Sequence, residues 1–135
     1  MSKVTAAIAV GLISAMPLPA HAQQEPRSAQ YQSCMRLAGN EMQLHQCVSD
    51  EIARQDSILN ATYKQTMSAL DPDRKSKLLE SERLWIKFRD ATCDALASAY
   101  AGGSMEGRVF GQCSIDQTIR RVRDLKAIYA EGREE

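Results

Sequence analysis

Three sets of polar side chains fall where helical spacing calls for burial. Asp56, Asn60 and Tyr63 stand at i, i+4 and i+7 in one segment. Glu82, Arg89 and Asp90 flank Trp85 in the next, and Thr118, Arg120 and Arg123 lie along a third. Two carboxylates such as Asp56 and Glu82 have the chemistry of an acid/base pair. No Gly-rich loop context accompanies them. Ser81, Ser98 and Ser104 lack a nucleophile motif, and His45 is the only histidine beyond the first 22 residues. The chain does not read as an enzyme. A guanidinium is a rigid fork of five donors, so Arg89 is suited to bridging helices by meeting Asp56 or Glu82. The structural expectation for Asp56, Asn60, Tyr63, Glu82, Trp85 and Arg89 is therefore a satisfied buried network that fixes helix register, because a half-made network is costly. The functional alternative is that part of this set lines a groove for a ligand or partner.

Cys34, Cys47, Cys93 and Cys113 are the second chemical feature. There is no C-x-x-C for redox work, and the pairs are spaced too widely for a zinc site. Neither a metal nor a cofactor is expected. An even cysteine count in an exported chain reads as two disulfides, with three pairings open. Spacing favours one of them. Cys93 and Cys113 are symmetric about Gly103, and Cys34 and Cys47 straddle Gly39-Asn40. If each break is the turn of a helical hairpin, the pairs are Cys34–Cys47 and Cys93–Cys113. Each closed loop would add roughly 3 kcal/mol.

Export is read from the start of the chain. Lys3 precedes an uncharged run from Val4 to Met16, then Pro17 and Pro19, then Ala20-His21-Ala22. This is the layout of a signal peptide, residues 1–22, cleaved to leave one domain, 23–135. The apolar run is shorter than the roughly 20 residues that span a bilayer, so no membrane insertion is expected after cleavage. The whole chain carries 17 Lys+Arg against 17 Asp+Glu, and losing Lys3 leaves one net negative charge. That balance argues against nucleic acid or an anionic membrane as partner.

The elements that must position these residues are helical. Ser28–Ala38 is a short helix closed by Gly39. Glu41–Leu70 carries Ile52, Leu59, Tyr63, Met67 and Leu70 on one 3.6-residue face. Asp71-Pro72 is a cap and a first helical position, opening a helix over Pro72–Tyr100. Gly102–Phe110 reads as a loop, with Ser104, Glu106 and Arg108 exposed on it, and the last helix spans Ser114–Tyr129. No segment alternates as a strand does. The predicted fold is all-α, a small disulfide-stapled bundle built on two long antiparallel helices.

One pattern has a known likeness. In order along the chain stand Cys47, Asp56-x-x-Leu59-Asn60-x-x-Tyr63, Leu70, Glu82-Arg83-x-Trp85-x-x-Phe88-Arg89-Asp90-x-x-Cys93, Gly102-Gly103-Ser104, Cys113, and Thr118-x-Arg120 with Leu125. Together these resemble the LprI-type lysozyme-inhibitor family from about Cys34 to Tyr129. The resemblance implies a small exported helical domain with paired cysteines and lysozyme as protein partner. Glu82 stands where the family often has Gln, which turns a neutral amide into a charge partner for Arg89. The namesake is lipid-anchored, whereas no lipid-attachment cysteine stands here, so the expected location is periplasmic or secreted. The expected function is inhibition by occluding the lysozyme cleft, with Ser104, Glu106 and Arg108 as the contacting residues. The alternative is an envelope adaptor or interaction module unrelated to lysozyme.

Overall fold

The computed structural model describes residues 27–132, so the leader at 1–22 lies outside them. Within this span the chain forms α1 (Ala29–Leu37), α2 (Glu41–Ala69), α3 (Pro72–Ala97), a single 3-10 turn (Ser98–Tyr100) and α4 (Glu106–Glu131). No strand occurs among the described residues. Side-chain caps set the starts. Ser28 Oγ accepts from the Tyr31 amide, Asn40 from Gln43, and Asp71 from Asp73 and Arg74, with Pro72 first in α3. Each satisfies donors that the first turn leaves without a helical partner.

The all-α, disulfide-stapled class is as expected, with one boundary corrected. The last helix begins at Glu106 rather than Ser114, so most of the expected Gly102–Phe110 loop is the opening of α4. The sequence reading extends the Gly102-Gly103 break too far along the chain, to Phe110. Gly111 serves packing, since a Cβ there would overlap the Val48 side chain and crowd Ile52. The absent side chain lets α4 close on α2. The true connection is short, and Gly102 turns it with φ 74°, a conformation natural to glycine.

α4 is the organising element. It packs along both α2 and α3, whereas α2 and α3 make little contact with each other. A third long helix thus joins the two expected and supplies most of their common contact. One cluster joins Leu59, Leu70, Leu78, Val122 and Leu125, with Trp85 and Tyr63 at its edge. A second joins Tyr31, Val48, Ile115 and Ile119. Complete burial of a residue such as Leu125 stabilises by about 2 kcal/mol.

The buried face of α2 also differs from the expected stripe. Its deepest positions are Cys47, Val48, Glu51, Gln55, Leu59, Thr62 and Thr66. Ile52, Tyr63 and Met67 flank this face and are only partly covered. The polar members are satisfied at close range. Thr62 Oγ1 donates to the Ile58 carbonyl, and Thr66 Oγ1 reaches both the Thr62 and Leu125 carbonyls, tying α2 to α4. Cys34–Cys47 staples α1 to α2 and Cys93–Cys113 staples α3 to α4, with Cα separations of 5.7 and 5.5 Å. These are the pairs that hairpin spacing favoured.

Candidate functional site

Because α2 and α3 diverge over α4, a groove opens between them. It is lined from α2 by Asp56, Asn60 and Tyr63 and from α3 by Glu82, Trp85 and Arg89. These are the six residues expected to form one network, and the fold does bring them together. Leu59, Leu79 and Ile86 add apolar surface to a volume of about 370 Å³. Asn60 is exposed and the other five are half-buried. The set is therefore an open polar groove rather than a sealed core network.

Its electrostatics rest on two arginines. Arg89 Nε donates to Asp90 at 2.8 Å, and its Nη1 lies 4.0 Å from Asp56 across the groove. Glu82 does not meet Arg89. It accepts from Arg121 Nε at 2.8 Å, and Arg121 Nη2 donates to Ser81 at 3.0 Å. Both guanidinium groups also lie over the Trp85 ring, Arg89 at 5.1 Å and Arg121 at 5.8 Å from its centroid. Arg121 is thus the bridge between α3 and α4 that the sequence reading missed, having named Arg120 and Arg123. A signal was present. Thr118, Arg121, Val122 and Leu125 fall at i, i+3, i+4 and i+7, a buried stripe with one cation in it.

The stapled end of the molecule carries the other expected residues. Ala101–Met105 is exposed throughout, with Ser104 in it. Its shape is held from both sides. Glu106 Oε2 accepts from the Gly102 amide at 2.9 Å, and His45 Nε2 lies 2.9 Å from the Ser104 carbonyl oxygen. Glu106 and Arg108 sit in the first turn of α4, not in a loop. Arg108 Nη2 donates to Glu41 at 3.3 Å, and its side chain is only 18% exposed. Ser104 faces solvent, while Glu106 and Arg108 fix the end of α4 against the turn and against α2.

A further polar centre went unread. Glu51 is fully buried and accepts from the Ser28 amide at 2.9 Å, from Gln55 Nε2 at 2.8 Å, from Arg54 Nη1 at 2.6 Å and from the Ser28 hydroxyl. Burial alone would raise its pKa, but the hydrogen bonds from Ser28, Gln55 and Arg54 outweigh it and hold the value below the ordinary one. Beside it, Arg27 forks onto Asp116 with Nε at 2.8 Å and Nη2 at 2.7 Å. The hydrogen bond to Asp116 raises the Arg27 pKa against the opposing effect of burial. Together these contacts lock the entry of α1 onto α2 and α4. Glu51 escaped notice because a charged residue on a helix is ordinarily read as solvent-facing.

Over the described residues the architecture defines a class, four α-helices with two local disulfides, a polar groove and a stapled exposed turn. The chain belongs to the LprI lysozyme-inhibitor family. Residues 28–125 match the family described as "Lysozyme inhibitor LprI", a span that holds all four cysteines, the groove and the turn. An uncharacterized protein of Rhizobium meliloti (strain 1021) is 30% identical over 137 residues, covering 91% of this chain and 94% of that protein. No solved structure matches. Among the described residues no helix is long and apolar enough to cross a membrane.

Proposed function

We propose that this protein is a periplasmic or secreted inhibitor of lysozyme that acts without catalysis, by binding the enzyme and occluding its cleft. The observation that carries the reading is the family match across residues 28–125. The two disulfides and the signal-peptide layout read in residues 1–22 support an exported, oxidised domain. The stapled turn is the element suited to insertion. Ser104 and Met105 present side chains from a backbone held by Glu106, His45 and the Cys93–Cys113 bond. A short, braced turn loses little conformational freedom on binding, which favours affinity. Glu106 acts chiefly by setting the turn's shape, and Arg108 by fixing the start of α4 on Glu41 of α2. With charges nearly balanced, recognition depends on local fit more than on long-range steering.

The test is a bacterial-cell turbidity assay in which oxidised Gln23–Glu135 is titrated against a c-type lysozyme. Inhibition should saturate near one-to-one and vanish on reduction. A Ser104→Arg, Met105→Glu double variant that keeps its melting temperature should inhibit much less. No inhibition at large excess against c-, g- and i-type enzymes would defeat the reading.

One observation favours the adaptor alternative. Leu84 and Phe88, one turn apart on α3, are 59% and 60% exposed. Adjacent apolar side chains of this size on an outer helix face suit a partner surface. Retention of a single envelope protein by the oxidised domain, lost in Leu84→Ser, Phe88→Ser, would support that alternative over lysozyme binding.

A further inference from the structure

A second cavity lies on the opposite side of α2 from the groove, between α2 and α4 near the start of α1. Its rim carries three cations, Arg54 from α2 and Arg123 and Lys126 from α4. Its wall is apolar, made by Ile58, Ile119 and Val122, and its volume is about 200 Å³. Among the described residues no carboxylate lines it. Glu51 lies behind Arg54 and neutralises that one cation. Among the described residues the side chains of Arg123 and Lys126 make no ion pair or hydrogen bond, although like charges at i and i+3 repel across a helix surface. The cavity thus brings together two cations that have no partner among the described residues and the remaining donors of the Arg54 fork, beside an apolar wall.

We infer that this cavity is a binding site for a phosphomonoester with an apolar substituent. The charge argues for a dianion, since a phosphate monoester carries about −1.5 to −2 at neutral pH. It also offers three acceptor oxygens to the guanidinium and ammonium donors of Arg54, Arg123 and Lys126. The size argues for a head group and the first few carbons, because drug-sized ligands fill about 300–1,000 Å³. The apolar substituent packs on Ile58, Ile119 and Val122, and Ile58 is left partly exposed in the unliganded chain. The site stands apart from the stapled turn and does not depend on the lysozyme reading. The same chemistry is offered by a lipid head group and by a soluble ester.

The experiment is an NMR and calorimetric titration of oxidised Gln23–Glu135 with hexyl phosphate, inorganic phosphate and hexanol. Saturable binding of hexyl phosphate is expected, tighter than inorganic phosphate, with hexanol the weakest. Shifts should cluster at Ile58, Ile119 and Val122. Arg123→Gln, Lys126→Gln should weaken hexyl phosphate at least about tenfold, two charge-assisted contacts being lost, while leaving the unliganded melting temperature unchanged. Vesicles of phosphatidylcholine with and without phosphatidic acid separate the sources. Capture by the phosphatidic acid vesicles, lost in the double variant, identifies a lipid head group, and binding of the soluble ester alone identifies a free metabolite. Absence of saturation at millimolar hexyl phosphate, equal binding by the double variant, equal binding of hexanol, or shifts confined to another region would each overturn the assignment.

Discussion

Glu51→Gln is the sharpest test of how this fold is held. The substitution preserves volume, so it creates no cavity. What it changes is the acceptor set. In the wild type, Oε1 accepts from the Ser28 amide and Gln55, and Oε2 accepts from Arg54 and the Ser28 hydroxyl. A glutamine can offer its oxygen to one pair, now as a neutral acceptor. Its amide nitrogen then confronts Arg54, a donor facing a donor. Hydrogen bonds to a charged group contribute about 1.5–3 kcal/mol and neutral ones about 1, so the retained edge loses roughly 1 kcal/mol. Breaking a fully buried ion pair costs about 3–5 kcal/mol. Arg54 retains 37% side-chain exposure, and water can replace part of what it loses. The sum is a destabilisation of about 2–3 kcal/mol, which for a domain near this size lowers the melting temperature by about 8–12 °C. The pH dependence supplies an independent check. Glu51 has a folded pKa below its ordinary value of 4.5, so its stabilisation is complete above that value and is lost as pH falls through the folded one. The gap between wild type and E51Q should therefore be widest near neutrality and narrow in acid. Far-UV circular dichroism melts of oxidised Gln23–Glu135 from neutral to acid pH measure both quantities. A neutral-pH shift under about 2 °C, or a gap that does not narrow in acid, would refute the reasoning.

Three other outcomes follow from the same geometry. Gly111→Ala should destabilise by about 1–3 kcal/mol in chemical denaturation, because its Cβ collides with Val48 at the α2–α4 contact; a neutral result would mean that α4 can shift freely. A double-mutant cycle on Arg121→Ala and Glu82→Ala should return a coupling of about 1–2 kcal/mol, above the surface-pair range, as both partners are largely covered. The same cycle on Arg89 and Asp56, 4.0 Å apart with Asp56 partly exposed, should return less than about 0.5 kcal/mol. Cys93→Ser, Cys113→Ser should cost about 3 kcal/mol, seen as a lower denaturation midpoint, since it opens a loop of sequence separation 20.

The stapled turn and the groove occupy different parts of the molecule and suit different work. Arg121 joins Glu82 and Ser81 of α3 to α4 directly under Trp85, so the groove's walls have little freedom to close on one another. The turn's backbone is held by its own hydrogen bonds and by the Gly102–Glu106 and Ser104–His45 contacts. Its side chains remain free to meet a partner.

Local chemistry was enough to determine the helices, most of their ends and the disulfide pairs. Ser28, Asn40 and Asp71-Pro72 act through groups two or three residues away, and short-range interactions of that kind are written in consecutive residues. The cysteine pairs were readable because each lies across one turn. Spacing also placed Asp56, Asn60 and Tyr63 on one face of α2 and Glu82, Trp85 and Arg89 on one face of α3, since helical periodicity shows which side chains share a face. Tertiary structure decided the rest. Periodicity cannot say which helix a face meets, so Glu82 was matched with Arg89 when its partner is Arg121 on α4. It cannot distinguish a solvated glutamate from Glu51, whose burial depends on donors 23 residues away at Ser28 as well as on its own helix. Nor does it show that Gly111 is a packing position, where the missing side chain is what allows α4 to approach α2. In each case the deciding contact lies between helices, and a pair distant in sequence leaves no mark on the local pattern of either one.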